Sequence, residues 1–550
     1  MLRSRVAIRW SALGLALCLS VIAALHFVNM TMDDAFISFR YAENLAAGNG
    51  LVFNLGERVE GYTNFSWTVL LSILALLGAG KHDLGMLCAG KLLSLGFSVG
   101  SLAVVCWDQG PVPARRVLAT VPVGALFLAT TAPALAWSMG ALEGPMVGLL
   151  LALSARAWLR ETDPRERQRR LPWSAIWLAL ASVTRPEPIV LIAPMFILRL
   201  AFWSKPLRGT AREHVRYLLT FAAPCGLFLL WRWSYYGNLL PNTYYAKLHG
   251  DGHALDKGLR YLGDNFDAMN FVAIAAISAG ASLLARGERR RVALLLTLCS
   301  VQVAGIAYEG GDWMPAGRLL VPTLPLVALL LNSAWRGAVA FELSQLHLPA
   351  LPGWVITPEL RARYNGGLAA VEARVGRALH AGLRLVLGAA LLVSIGGGAR
   401  NTWHDWSGRE GSGLRAIHMD HGLHFTVARW LKANVHDGGT LATGEIGVVP
   451  YYTQLPVLDL FGLTDVHIAH LSGSRHFKFD LPYVLQRSPQ YVYLLMHPAT
   501  PGEPRRAEQN YGRLLLESPE FQRDYAVLHD FGEGVVYRRA TARASSTGAP

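Results

Sequence analysis

Met32-Asp-Asp-Ala-Phe-Ile-Ser-Phe-Arg-Tyr-Ala-Glu-Asn-Leu-Ala-Ala-Gly-Asn-Gly50, continued by Leu51-Val-Phe-Asn-Leu-Gly-Glu-Arg-Val-Glu-Gly-Tyr-Thr-Asn64, is the stretch on which the reading of this chain turns. It follows an apolar run from about Ser11 to Val28 that Arg3, Arg5 and Arg9 precede. This run reads as a retained first span, because the residues after it look functional. Two adjacent carboxylates at a membrane boundary are costly to keep there. If 33–46 is helical, Asp33, Ile37, Arg40, Tyr41 and Asn44 share one face at spacings of three and four. A carboxylate, a guanidinium and a phenol would then converge, a face able to deprotonate a hydroxyl and hold an anion. The plain alternative is an N-cap aspartate on a solvated helix. The Gly48-Asn-Gly50 turn and Glu57-Arg58-Val-Glu60 weigh against a cap alone.

Working outward, the chain has 550 residues, 52% of them apolar and only 16% charged, where a soluble domain carries about 25% charge. With a mean hydropathy of +0.30, a single water-soluble globule is excluded. The net charge of +13 would suggest a nucleic-acid partner in a soluble protein. Here the basic residues crowd short gaps between apolar runs, such as Arg160–Arg170 and Arg286–Arg291, as in the cytoplasmic loops of a polytopic membrane protein. The charge reports topology, and no nucleic acid is expected. Cys18, Cys88, Cys106, Cys225 and Cys299 lie in or beside apolar stretches without CxxC spacing, which argues against a disulfide framework or a zinc site.

Apolar runs long enough to cross about 30 Å of hydrocarbon occur near 9–28, 86–107, 117–137, 144–160, 172–184, 187–203, 217–236, 266–285, 292–308, 318–335 and 380–397, about eleven in all. The run 65–80 is read as an interfacial helix, since a crossing there would put Arg115 and Arg116 outside and invert every later basic loop. The expected architecture is a mainly α polytopic membrane domain over 1–397, with 29–85 as its first outer loop. A soluble α/β domain over 398–550 follows on the periplasmic side of a bacterial inner membrane. In that domain 439–443 and 456–460 read as strands, and 421–434 and 504–517 as helices. No internal repeat supports a solenoid or an inverted-repeat transporter.

The outward gaps hold four further polar clusters. Ser138-Met-Gly-Ala-Leu-Glu143 ends in an acid that is either functional or the start of an interfacial helix. Thr184-Arg-Pro-Glu187 keeps Arg185 near hydrocarbon, where it needs an anion: a lipid phosphate, or Glu187 or another carboxylate. Trp233–Lys247 combines aromatics, amides and a lysine, suited to sugar stacking and phosphate pairing or to an interfacial belt. Glu309–Arg318 adds Asp312 and Trp313. Gathered on one face, these clusters imply a polar site at the outer interface, reached from the bilayer. Polyprenyl-phosphate sugars fit such a site, and the chemistry would be glycosyl transfer. There is no Walker loop, no GxGxxG after a strand and no GxSxG elbow.

Asp33–Leu45, Asn54–Asn64, Thr184–Glu187, Leu240-Pro-Asn-Thr-Tyr-Tyr-Ala-Lys247, Gly310–Pro315 and Leu460-Phe-Gly-Leu-Thr-Asp465 together resemble the type C (GT-C) membrane glycosyltransferases. The resemblance is nearest to the branch with the mycobacterial terminal β-(1→2) arabinofuranosyltransferase and a Gram-negative pilin arabinosyltransferase. It implies a catalytic carboxylate at Asp33 with Asp34 beside it, and a donor phosphate held by Arg185, Lys247 and Arg318. The sugar- and acceptor-binding set is Arg40, Tyr41, Glu60, Tyr62, Asn64, Glu143, Asn242, Tyr244, Tyr245, Asp312 and Trp313. Ser138–Pro145 departs from the family's Gly-Leu-Glu-Thr form, leaving the role of Glu143 open. The implied reaction moves a sugar, D-arabinofuranose first, from polyprenyl phosphate to an envelope glycan or pilin, by a protein read as a monomer among membrane lipids. A hexose or aminoarabinose, with protein or lipid A as acceptor, keeps the same fold; a lipid-linked sugar flippase is the rival of another class. No carboxylate and His set resembles a metal cage, yet other members use a divalent cation, so metal dependence stays open.

Overall fold

The computed structural model describes residues 2–108, 117–163, 171–203, 207–248, 253–269, 286–314, 316–340, 421–473, 477–497 and 505–540, with the single residues 274, 389 and 396. The N-terminal part is helical. In chain order it contains α1 (Leu2–His26), α2 (Asp33–Ala46), α3 (Phe65–Leu76), α4 (Gly85–Cys106), α5 (Val123–Thr130), α6 (Ala132–Ser138) and α7 (Gly144–Glu161). There follow α8 (Trp173–Thr184), α9 (Ile192–Ala201), α10 (Leu207–Tyr236), α11 (Asn242–Leu248), α12 (Ala254–Met269), α13 (Arg289–Glu309) and α14 (Leu324–Ala340).

Among the described residues, four segments are long and apolar enough to cross a membrane: Gly85–Cys106, Ala211–Tyr236, Arg289–Glu309 and Arg318–Gly337. They coincide with the runs expected at 86–107, 217–236, 292–308 and 318–335. Other runs form shorter pieces. The stretch 117–137 breaks at Thr131, whose extended backbone precedes a new helix with Pro133 in its first turn. Proline lacks the N–H that an uninterrupted helix would use there. The stretch 187–203 opens as a 3-10 turn, Glu187–Leu191, before α9. At 12 residues each, α3 and α8 are about 18 Å long, short of 30 Å of hydrocarbon, so the run expected as a span at 172–184 is no longer a helix than the one expected to be interfacial. Most of the 266–285 run, nearly all of 380–397 and the expected boundary near 398 lie outside the described residues.

The C-terminal part is α/β. A five-stranded sheet runs in the order β2 (Val457–Asp459), β1 (Leu441–Thr443), β3 (Tyr491–Leu495), β5 (Gly534–Arg539), β4 (Tyr525–Asp530). The first three strands are parallel and β5 and β4 pair antiparallel. Helices α15 (His421–Asn434), α16 (Val448–Thr453), α17 (Val466–Ala469), α18 (Leu481–Arg487), α19 (Asn510–Glu517) and α20 (Pro519–Asp524) complete it. The expected strands and the 421–434 helix are present, while the 504–517 helix begins only at Asn510.

This α/β unit packs directly on α2. Phe36 meets Phe425 and Tyr451 edge-on, with ring centroids 5.7 and 5.3 Å apart. Asn54 pairs with the backbone of Val457 through both its amide atoms, donating at 2.8 Å and accepting at 3.0 Å. The start of β2 is thereby tied to the loop after α2.

Candidate active site

Helix α2 presents its residues to two different neighbours. Asp33, Phe36 and Arg40 point to the C-terminal domain. The Asp33 carboxylate accepts the N–H groups of Gly447 and Val448 at 2.9 and 2.7 Å, capping α16. These are N–H groups that a helix start leaves without intrahelical partners. A Cβ on Gly447 would overlap that carboxylate, so glycine is needed for the approach. Arg40 donates to the carbonyls of Phe53, Pro450 and Leu455, each at 2.9 Å. Tyr41 donates to Val59 O at 2.7 Å and accepts from Gly61 N at 2.9 Å. The expected convergence of Asp33, Arg40 and Tyr41 on an anion is therefore corrected. Their polar atoms satisfy backbone groups at the start of α16, within and just after it, and in the 51–64 loop, which would otherwise be buried unpaired.

Asp34 faces elsewhere. With Ser38 one turn on, it lines a cleft of about 510 Å³ together with Tyr62, Asn64, Glu143, Arg185, Thr243, Lys247, Arg318 and Leu463. Arg185 is held by Glu143 at 2.5 Å and, through a second close pair, by Glu187. Glu143 also accepts from the Asn64 amide at 2.9 Å. Burial pushes the Glu143 carboxyl up, but Arg185, Arg318 and Asn64 outweigh it and hold the group below its ordinary range. Arg318 lies 2.6 Å from Asp312 and 3.4 Å from Asp34. Asp34 is thus loosely held, and 31% of its side chain is exposed.

A second, largely apolar cavity of about 1330 Å³ adjoins the cleft. Trp137, Val147, Val190, Leu240, Tyr244 and Ile306 are among its walls, and it shares Leu142, Glu143, Arg185 and Arg318 with the cleft. The two guanidinium groups therefore stand where polar and apolar space meet.

The remaining expected residues divide between lining and bracing. Tyr62 lines the cleft while its hydroxyl pairs with Tyr236 at 3.1 Å. Glu60 is buried against Arg232 at 2.9 Å, and burial pushes its carboxyl up to about 7 despite that partner. Asn242 donates to the carbonyls of Gly462, Leu463 and Asp465. Tyr244 lines the apolar cavity, whereas Tyr245 stacks on His470 with centroids 4.3 Å apart. Trp313 is mostly exposed and is not among the residues lining either cavity, and Asp312 is used by Arg318. Ser38, Thr243 and Leu463 were not singled out from sequence. Ser38 stands four residues after Asp34, and Thr243 and Leu463 lie in the quoted Leu240–Lys247 and Leu460–Asp465 stretches, so the sequence held a signal for all three.

Among the described residues no group of three His, Cys, Asp or Glu side chains could hold a metal ion.

Against solved structures, the chain superposes on ArnT from Cupriavidus metallidurans with TM-scores of 0.54 for the form bound to undecaprenyl phosphate and 0.56 for the apo form. Each match covers 96% of this chain and 98% of the other at 13% identity. The chain has the type C glycosyltransferase fold. Among curated proteins it is 28% identical over 331 residues to the terminal beta-(1->2)-arabinofuranosyltransferase of Mycobacterium tuberculosis. It is 26% identical over 359 residues to the protein of that name from Corynebacterium glutamicum. These alignments take in 54% and 56% of this chain, which spans about half the length of each relative, 51% and 50%. Residues 414–547 match a domain of unknown function (DUF8728).

Proposed function

We propose that this chain is a membrane glycosyltransferase that moves D-arabinofuranose from a polyprenyl phosphate to a hydroxyl of an extracytoplasmic glycan or pilin. The observation that carries the reading is the junction of the two cavities. A ligand with a phosphate head and an isoprenoid tail needs cations beside apolar space, and Arg185, Lys247 and Arg318 line the cleft that opens onto that space. The names of the curated relatives support arabinofuranose, and ArnT, which shares the fold, is known with undecaprenyl phosphate bound.

Asp34, rather than Asp33, is the proposed base, because the Asp33 carboxylate already accepts two backbone N–H groups. The Asp34 carboxylate takes the proton from the acceptor hydroxyl as its oxygen forms a bond to the anomeric carbon. The bond from that carbon to the phosphate oxygen breaks, and its electron pair leaves with the polyprenyl phosphate. The positive groups stabilise the charge that develops there.

The reading includes about eleven spans, a cytoplasmic N-terminus, and cleft and C-terminal domain on the periplasmic side, where no nucleotide donor is available. The test is incubation of the purified chain with a panel of polyprenyl-phosphate sugars, followed by mass analysis. Consumption of the arabinofuranosyl donor is expected; consumption of another sugar alone, or of none, would overturn the assignment. Accessibility labelling that put Asp34 and Trp313 on opposite sides of the bilayer would remove the site.

A further inference from the structure

Asp34 and Lys247 line the same cleft from elements that are far apart in sequence, α2 and α11. Helix α11 is only seven residues long, and among the described elements it packs on α17 of the C-terminal domain. Three side-chain ties bind it to that domain. At its first residue the Asn242 amide donates to Gly462 O, Leu463 O and Asp465 O at 2.9, 3.1 and 3.3 Å. In its middle Lys478, itself buried, donates to Tyr245 O at 2.6 Å and to Ala469 O at 2.9 Å. The Tyr245 ring lies flat on His470. A backbone bond from Asn242 N to Glu60 O is its link to the 51–64 loop. Helix α2 is packed on α3 and is also gripped by the C-terminal domain through Asp33 and Arg40.

A seven-residue helix does not hold its place unaided, since isolated helices of that length are unstable in water. The position of the Lys247 backbone beside the cleft is therefore set by what holds α11.

We propose that the C-terminal domain is the frame that fixes Lys247 in one cleft with Asp34, with Lys478 and Asn242 as positioning residues on the basic side and Asp33 on the acidic side. This rests on the glycosyl-transfer reading above. It makes the domain part of the active centre's construction. A positioning error of about 1 Å costs on the order of a hundredfold in rate when it falls on reacting groups, and a misplaced phosphate ligand shows first in donor affinity.

The experiment uses the full chain in nanodiscs, with hydrogen exchange alongside steady-state kinetics on polyprenyl-phosphate arabinose. Lys478→Met keeps the aliphatic stem and removes the donors. It is expected to speed amide exchange over 243–248 about tenfold while leaving 35–46 unchanged, and to raise donor KM about tenfold with kcat within twofold. Lys478→Arg should restore both. Asp33→Asn is expected to speed exchange over 447–453 and to lower kcat about tenfold at constant donor KM. Should Lys478→Met fail to accumulate, Asn242→Ala makes the same test of 243–248. Unchanged exchange over 243–248 in both variants, or an equal fall of kcat and kcat/KM in all of them, would overturn the frame. Local loosening in a protein that transfers none of the panel's sugars would instead refute the reaction and leave the frame standing.

Discussion

At one end of the bundle Asp108 receives Arg291 and Arg336, and Glu288 receives the same two arginines. At the other end Arg185 receives Glu143 and Glu187, and Arg318 receives Asp312 and Asp34. Each end thus pairs two guanidinium groups with acids, and α13 runs from one to the other, 21 residues or about 31 Å. The closed knot leaves 1% of the Asp108 side chain and 3% of Glu288 exposed, beside a cavity of about 240 Å³. The open one has an acid, Asp34, that is 31% exposed and held by one guanidinium at 3.4 Å, and an apolar cavity next door. Burying charge in low dielectric is costly, and close reciprocal pairing offsets that cost. The knot at Asp108 reads as a structural clamp because its partners are used up, and the Asp34 end as a site because one carboxylate there is only half engaged.

Asp34→Asn should lower the single-turnover transfer rate by about a thousandfold, within the range of a lost general base. Donor affinity should be retained, because Asn keeps the bulk. Near-normal turnover would place the base elsewhere. The same change at the closed knot, Asp108→Asn, should act on stability instead. Leaving two buried arginines short of an anion costs about 3 kcal/mol or more, seen as a fall in thermal midpoint with donor KM unchanged in the protein that remains folded. A change in donor KM there would erase the distinction between the ends.

Arg185→Gln should weaken donor binding by about tenfold, measured by titration with polyprenyl phosphate, since a charge-assisted bond is worth about 1.5–3 kcal/mol. Unchanged affinity would make Arg185 a second clamp on Glu143 and Glu187.

Another buried carboxylate sharpens the comparison, because it is held without a guanidinium. Asp459 accepts the N–H groups of Phe461, Gly462 and Thr464 and the Thr464 hydroxyl. Burial pushes its carboxyl up from 3.8 to about 6. A raised acid binds its proton more tightly when folded. Its contribution to stability is therefore full below the unfolded value and is lost as pH rises through about 6. Lowering pH from 7.5 to 5 should stabilise the C-terminal domain by about 1.4 kcal/mol through this group. Asp459→Asn should flatten the dependence, and an unaltered slope in that variant would assign it to other residues.

How much of this was legible depends on the distance over which a residue's role is decided. The need of Arg185 for an anion could be argued from its place between two short apolar runs, with Glu187 or another carboxylate as one solution. Choosing Glu143 as its second partner required α7 and the 185–187 turn to be brought together. Lys247 was a candidate from its aromatic neighbourhood, whereas Lys478, which holds its helix, carried no signal because its acceptors are backbone carbonyls 9 and 233 residues away. Trp313 shows the reverse: a residue prominent in the motif and largely exposed in the fold.

Sequence alone determined that the chain is a helical membrane protein followed by a polar α/β region, since hydrophobic run length and composition are local quantities. It also settled that acids and bases gather in a few gaps between those runs. Tertiary structure alone decided which of two neighbouring aspartates lines the cleft. Successive residues on a helix point about 100° apart, so Asp33 and Asp34 meet different partners, and only the packing of α16 against α2 shows that one caps a helix while the other faces the cleft.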